Sequence, residues 1–340
     1  MKSARYDVLG IGNAIVDVIT RTEEDFLISN NLVKGSMRLI DEPEAERLYQ
    51  AMGPATIISG GSASNTVAGV VSLGGTAAFI GKIRQDSVGA LFAHDIRAIG
   101  VAFDTPQSLE GPATARSFIL VTPDGERTMN TFLGACQGLG PDDIDADTVA
   151  SAGITYLEGY LWDPAEAKIA FRKAAALAHR NGRRVAITLS DSFCVDRYRD
   201  EFRDLLRTRQ VDILFANEHE LKSLYATSDF DTAVAALREE GALGVVTRSE
   251  QGSLVVTSDT IKAVPAAGIE KLVDTTGAGD LYAAGFLFGL ARGIDHETCA
   301  RLGSLAAAEI IQHIGARPET SLSEHVRQSG IMISGLASRA

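Results

Sequence analysis

Positive charge is scarce in this 340-residue sequence: 32 lysines and arginines stand against 44 aspartates and glutamates, a net charge of −12. A nucleic-acid footprint needs clustered basic residues, so that class of partner is not expected. A small anionic ligand is not excluded, because a local cradle can override the global field. Cysteine is scarcer still. Cys136, Cys194 and Cys299 lie far apart with no C-x-x-C spacing, which argues against a disulfide framework or a zinc site and fits a reducing compartment. The six histidines (His94, His179, His219, His296, His313 and His325) are scattered, so neither a metal cluster nor a Ser-His-Asp set is evident. No apolar stretch reaches the ~20 residues that cross a bilayer. The start, Met1 to Asp7, leads into a strand-like run without an apolar signal region, and a soluble, cytoplasmic protein is expected. Two nucleotide signatures are missing as well. There is no G-x-x-x-x-G-K-[ST] loop, and Gly10-Ile11-Gly12-Asn13-Ala14 is a fragment of G-x-G-x-x-G with Ile15 where the third glycine belongs.

What is present is an ordinary globular composition, 45% hydrophobic and 22% charged, with length enough for one large domain or one plus a smaller appendage. Val8 to Gly12 reads as a buried strand, Ala77 to Gly81 as another, and Gly89 to Gly100 as a helix. From Ile154 onward strands and helices alternate: strands at 154–159, 185–189, 211–215 and 244–247, helices at 164–181, 195–207 and 232–240. That rhythm predicts an α/β fold with a mostly parallel sheet and right-handed crossovers. Two segments break it. The polar stretch after Thr20, with an amphipathic run at Glu42 to Met52, and the Thr114–Thr131 block split by Thr122-Pro123-Asp124-Gly125-Glu126 read as an excursion and a β-hairpin. Together they predict a small β-sheet over a pocket. The apolar end after Ser329 is expected to pack on the surface or on a partner.

The chemistry concentrates in Asp274-Thr275-Thr276-Gly277-Ala278-Gly279-Asp280, followed by a helix-compatible apolar run, Leu281 to Leu290. Small residues at a helix start expose backbone N–H groups and the positive helix end, an anion site. Asp280 at its edge is placed to take a proton from an attacking hydroxyl during phosphoryl transfer. A plain helix cap explains Gly-Ala-Gly alone equally well; the seven-residue pattern favours phosphoryl transfer. Asn13 and Asp17 follow the first strand, and Asn217 to Glu220 and Thr247 to Gly252 follow later ones. All are expected at one edge of a parallel sheet, where ligands bind. Gly60-Gly61-Ser62 with Asn65 suits close approach of a small polar ligand, with tight helix-on-sheet packing as the competing reading. An arginine on a hairpin, Arg127, means little alone.

In order and over nearly the whole chain, Asp274–Asp280, Gly60-Gly61 with Asn65, and Asn217-Glu218-His219-Glu220 resemble the signatures of the ribokinase-like (PfkB) family of carbohydrate and nucleoside kinases. The resemblance implies one doubly wound α/β domain over 1–340, with β lid segments at 14–57 and 112–134. It implies transfer of the ATP γ-phosphate to a substrate hydroxyl. Asp280 then resembles the base, and Gly277, Ala278 and Gly279 the anion hole. Asn217 and Glu220 resemble the pair organising Mg2+ and phosphates, and Thr247, Ser249 and Gly252 the nucleotide loop. Asp274 and Thr276 are similar to the K+ ligands of some members. Gly12-Asn13 through Asp17, Gly60-Gly61-Ser62 with Asn65, and Glu158-Gly159-Tyr160-Leu161-Trp162 resemble the adenosine kinases of the family. By that analogy Asp17 binds a ribose diol with Asn13, Gly60, Gly61, Ser62 and Asn65. Arg127 approaches the phosphate, and Met37, Met129, Phe132, Tyr160 and Leu161 wall in a purine. The segment Phe132 to Cys136 departs from the usual adenosine kinase sequence, so a lid-core place for Phe132 competes with base stacking. The acceptor expected is adenosine at its 5′-hydroxyl, with a free sugar such as ribose or fructose as the alternative, in a monomer or homodimer.

Overall fold

In the computed structural model, residues 4–331 are described. The apolar end expected to pack on a surface falls beyond residue 331 for most of its length and lies outside the described residues. The chain opens with β1 (Tyr6–Ile11), β2 (Ile15–Arg21), α1 (Glu24–Ser29), β3 (Met37–Leu39), α2 (Glu42–Ala51) and β4 (Thr56–Gly60). It continues through α3 (Ser62–Ser72), β5 (Ala77–Ile80), α4 (Ser87–Ala98), β6 (Ala115–Val121), β7 (Arg127–Phe132) and α5 (Ala146–Ala150). Next come β8 (Ala152–Glu158), α6 (Ala165–Arg180), β9 (Arg184–Thr188), α7 (Ser192–Arg207), β10 (Ile213–Asn217), α8 (Glu218–Leu224) and α9 (Phe230–Glu240). The last elements are β11 (Leu243–Thr247), β12 (Ser253–Val256), β13 (Ile261–Val264), α10 (Ala278–Ala291), α11 (His296–Ile310) and α12 (Leu322–Gln328).

Eight strands form the main sheet in the order β13-β12-β11-β10-β9-β8-β1-β5. The expected parallel alternation holds from β5 to β11. The sheet then ends in an antiparallel pair, β12 and β13, which the strand–helix rhythm did not announce. Both faces of the parallel part are covered, so its strands are mostly apolar, with polar residues concentrated toward their ends. Val8 of β1 joins the core under α3, α10 and α11, while Leu9 and Ile11 join the core under α6 and α7, as a period of two requires. After β1 the chain moves to β5 on one side and later to β8 on the other. The crevice at this reversal, outside the C-terminal ends of β1 and β8, is where such sheets bind ligands.

The second sheet, in the order β3-β7-β6-β2-β4, carries a core of its own that includes Val18, Leu27, Leu48, Phe118 and Leu120. Alternation sets its two faces. Ile15 and Asp17 of β2, Ser117 and Ile119 of β6, and Met129 and Thr131 of β7 face the crevice; Val18, Phe118 and Leu120 point away into the lid core. Phe132 follows Thr131 and therefore lands on the lid-core side, 8% exposed. It does not reach the crevice, which corrects its expected place beside a base.

Helix α10 is buried on nearly every side, clamped between α3 and α11. Glycine makes the clamp possible: a Cβ on Gly69 of α3 would lie 2.6 Å from Ala284 Cβ, and one on Gly285 would lie 2.4 Å from Leu302 O. The start of α10 is set at the crevice by this packing. No strand runs directly into this helix, because the loop 265–277 separates β13 from α10.

Candidate active site

A single cleft of about 680 Å³ runs between the crevice and the lid sheet. Asn13, Asp17, Gly61, Ser62, Asn65 and Tyr160 line one end. Asn217, Glu220, Thr247, Thr276, Gly277 and Gly279 line the other, and Asp280 stands between them.

Asp280 lies in the first turn of α10 and is gripped from α3: Ser62 Oγ donates to its Oδ1 at 2.6 Å and Asn65 Nδ2 to its Oδ2 at 3.0 Å. Thr66 Oγ1 donates to the Asp280 carbonyl at 3.1 Å. Burial pushes the carboxyl up to about 6, against the opposing pull of these two side-chain donors and of Arg317. It is therefore mostly ionised at neutral pH and close enough to it for proton transfer. Ser62 and Asn65, expected as substrate ligands, thus hold the carboxylate first. Asn65 Oδ1 is buried and has no partner among the described residues, which leaves one acceptor for a ligand hydroxyl.

Asp17 projects from β2 toward the same space. A Cβ on Gly60 would lie 2.2 Å from Asp17 Oδ2, so only glycine leaves room for this carboxylate. Gly61 takes φ +93, and a Cβ there would meet Asn13 O at 2.2 Å. Burial pushes Asp17 up to about 7 despite the nearby Arg317 and Arg127, with Asp280 adding to the rise.

Beneath them sits a group whose role the sequence did not show. Glu158, at the end of β8, is 1% exposed. Its Oε1 accepts from Asn13 Nδ2 at 2.7 Å, and its Oε2 accepts from Ala63 N at 2.9 Å and Asn13 N at 3.3 Å. Burial pushes this carboxyl up to about 7 against those donors. An acid closing an apolar strand was the available signal. Arg317 was missed too: its guanidinium lies close to both Asp17 and Asp280, and no motif marks it.

Gly277 takes φ +78 ahead of α10, and Gly279 has nothing within 4 Å of the place a Cβ would occupy. Ala278 N donates to Thr275 O at 3.2 Å, and the other N–H groups of the first α10 turn have no intrahelical acceptor and can meet an anion. Ala278 stands in that turn, although its side chain does not line the cleft. Arg127, from the lid strand β7, makes an ion pair with Asp274 and donates to Thr276 Oγ1 at 3.2 Å. Asp274 also accepts from Thr276 N at 3.1 Å and Gly315 N at 3.1 Å. With a guanidinium already on this carboxylate, Asp274 and Thr276 do not fit K+ in this arrangement, since a second cation would compete with Arg127.

At the far end, Asn217 and Glu220 form a capping box on α8: Asn217 Oδ1 accepts from Glu220 N at 2.9 Å and Asn217 Nδ2 donates to Glu220 Oε1 at 2.6 Å. Both still line the cleft, and burial pushes Glu220 up to about 7. A carboxylate that lines the cleft supplies the oxygen that a hydrated Mg2+ takes, directly or through its waters. Ser249 and Gly252 shape the turn from β11 to β12, with φ +51 and +81, and lie outside the cleft lining; only Thr247 of that trio reaches it. Leu161 is 1% exposed and packs beneath α6, so of its pair only Tyr160, 39% exposed, faces the cleft.

The pfkB family carbohydrate kinase description matches residues 33–322. The structure of adenosine kinase from Sinorhizobium meliloti is 56% identical, with a TM-score of 0.90 over 96% of this chain and 100% of that one. That of a probable sugar kinase protein from Rhizobium etli is 53% identical, with a TM-score of 0.91 over 97% of this chain and 100% of that one. An ATP-dependent ribose-1-phosphate kinase from Halopiger xanaduensis is 31% identical over 71% of this chain and 78% of its own length.

Proposed function

The chain belongs to the pfkB family of carbohydrate kinases, phosphotransferases with an alcohol group as acceptor, and within it we propose that this protein phosphorylates the 5′-hydroxyl of a nucleoside, adenosine first. The observation that carries this reading is the apolar wall beside Asp17. Ile15, Met37, Ile119, Met129 and Leu133 line the same cleft as Tyr160. A purine fills such a slot; a free sugar leaves it empty. The 56% identity to a Sinorhizobium adenosine kinase supports the same choice.

In this reading Asp17 accepts the ribose diol, with Asn65 Oδ1 taking a further hydroxyl. The 5′-oxygen then points at Asp280, which takes its proton as the oxygen attacks the γ-phosphorus and ADP leaves. The N–H groups at Gly277 and Gly279 offset charge on the transferring group, and Arg127 adds positive potential from its ion pair with Asp274. The family uses ATP with Mg2+. Glu220 and Asn217 are the residues that would hold the ion through its waters, and it would supply positive charge to the phosphates. The lid face excludes water once the base slot is filled.

The second reading, a sugar kinase, draws on the 53% identical probable sugar kinase and on the polar Ser117 and Thr131 among the apolar lid positions. ADP release measured across adenosine, inosine, guanosine, ribose, fructose and ribose 1-phosphate separates the two. Turnover with adenosine well above all sugars is expected; turnover confined to sugars or sugar phosphates would sink the nucleoside reading.

A further inference from the structure

We propose that Arg317 is a positioning residue that couples the two halves of the active site, acting from behind the cleft wall without touching substrate. Its guanidinium spreads over one corner of the fold, the junction of β4 and α3. Nε donates to Ser59 O at 3.1 Å and Nη1 to Ser64 O at 2.8 Å. Nη2 donates to Ser59 Oγ at 3.3 Å and to Ser64 Oγ at 2.7 Å. Ser59 and Ser64 are both buried. Between them lie the glycine that makes room for Asp17 and the serine that grips Asp280. Asn65, the second grip on Asp280, follows Ser64 directly. One planar fork therefore fixes the spacing of the corner that holds both carboxylates.

The same short loop reaches the phosphate half. Gly315 N donates to Asp274 Oδ2 at 3.1 Å, and Ala316 packs where a Cβ on Gly277 would lie 2.9 Å from it. Three consecutive residues thus touch the start of the seven-residue motif, the anion cradle and the sugar-side corner. The charge acts as well as the shape. Asp17 from β2, Asp280 from α10 and Asp95 from α4 all face the guanidinium, which helps keep the first two ionised. Arg127 from β7 is the other cation facing Asp17, and it is held by Asp274 and Thr276. Arg317 is the cation seated on the β4–α3 corner itself.

The proposal rests on the reading of Asp280 as base, and its test separates the two. Arg317→Met and Arg317→Lys are purified, checked for folding by thermal melting, and assayed for kcat, KM and adenosine affinity by calorimetry from pH 5 to 9. In R317M, kcat is expected to fall with KM for ATP little changed, and the acidic limb of kcat/KM to move up by about one pH unit. R317K should return the limb to its wild-type position while kcat recovers only in part, because an ammonium cannot fork onto both serines. Wild-type kcat and an unmoved limb in R317M overturn the proposal, as do equal losses in both variants with the limb unmoved. If R317M does not fold, R317K decides: reduced kcat at unchanged limb supports the fork, and wild-type kcat refutes it. Adenosine affinity falls in R317M whatever the base, so turnover by Asp280→Asn alongside that fall removes the base assignment and leaves the coupling standing.

Discussion

Asn65 Nδ2 donates to Asp280 Oδ2 at 3.0 Å, a contact between residues 215 positions apart. It aims one oxygen of the carboxylate while Ser62 Oγ holds the other. Replacing the carboxylate by an amide keeps the shape and removes the proton acceptor. Asp280→Asn is therefore expected to lower kcat by about 10²- to 10⁴-fold with adenosine affinity retained. In the unaltered enzyme kcat/KM should rise with pH through about 6 to 7, where Asp280 and then Asp17 ionise. A profile flat from pH 5 to 8, or turnover in D280N near the wild-type rate, would remove Asp280 as base.

Asp17 makes the opposite trade between stability and function. Its pKa is about 7 in the fold against an ordinary 3.8, so the folded state binds this proton more tightly than the unfolded chain does. The stability that protonation contributes is complete below about pH 4 and is lost as pH rises toward 7. Asp17→Asn should then melt higher than wild type at pH 8 without ligand, by about 2–4 °C, with the gap closing toward pH 5. Its kcat/KM for adenosine should collapse. Lower melting of D17N at pH 8 would contradict the buried-charge account.

Gly279 and Gly60 lack a side chain for different reasons. A Cβ on Gly279 meets nothing within 4 Å yet points into the cleft, whereas one on Gly60 meets Asp17 Oδ2 at 2.2 Å. Gly279→Ala should fold as wild type and raise KM for ATP. Gly60→Ala should raise KM for adenosine and leave that for ATP nearly unchanged. Steady-state kinetics with each substrate varied in turn check both; swapped effects would mean that the halves of the cleft are assigned backwards.

Tyr160 and Phe132 test which aromatic ring meets the base. Tyr160 stands 39% exposed in the cleft and Phe132 is 8% exposed in the lid core. Loss of stacking in Tyr160→Ala should cost about 1–3 kcal/mol, roughly a 5- to 150-fold rise in KM for adenosine. Phe132→Ala should instead destabilise the lid by about 3–5 kcal/mol, read as faster proteolysis within 115–132, with the order of preference among nucleosides unchanged. A changed order in F132A would return Phe132 to the base site.

The parallel strands and their helices were legible because strands buried on both faces are short apolar runs, and Val8 to Ile11 or Ile213 to Ala216 look like nothing else. The seven-residue motif was legible because its spacing is a local property of one helix start. Partnership was not. Periodicity tells which face a residue occupies, never what stands opposite, so Ser62 and Asn65 read as ligands when their first partner is Asp280. Phe132 could have been resolved, since alternation from Met129 sends it away from the cleft. Arg317 carries no signature of spacing, and Glu158 offers only an acid closing an apolar strand; their roles come from a loop that returns to the sheet corner and from strand order.

The separation of Ser62 from Asp280, 218 positions, reaches into the birth of the protein. During synthesis the α3 corner leaves the ribosome long before the anion cradle, at about 5–20 residues per second. Its donors must wait for their carboxylate, and the fork of Arg317 arrives later still. A nascent chain that has not yet presented Asp280 therefore holds its donors without the carboxylate they aim.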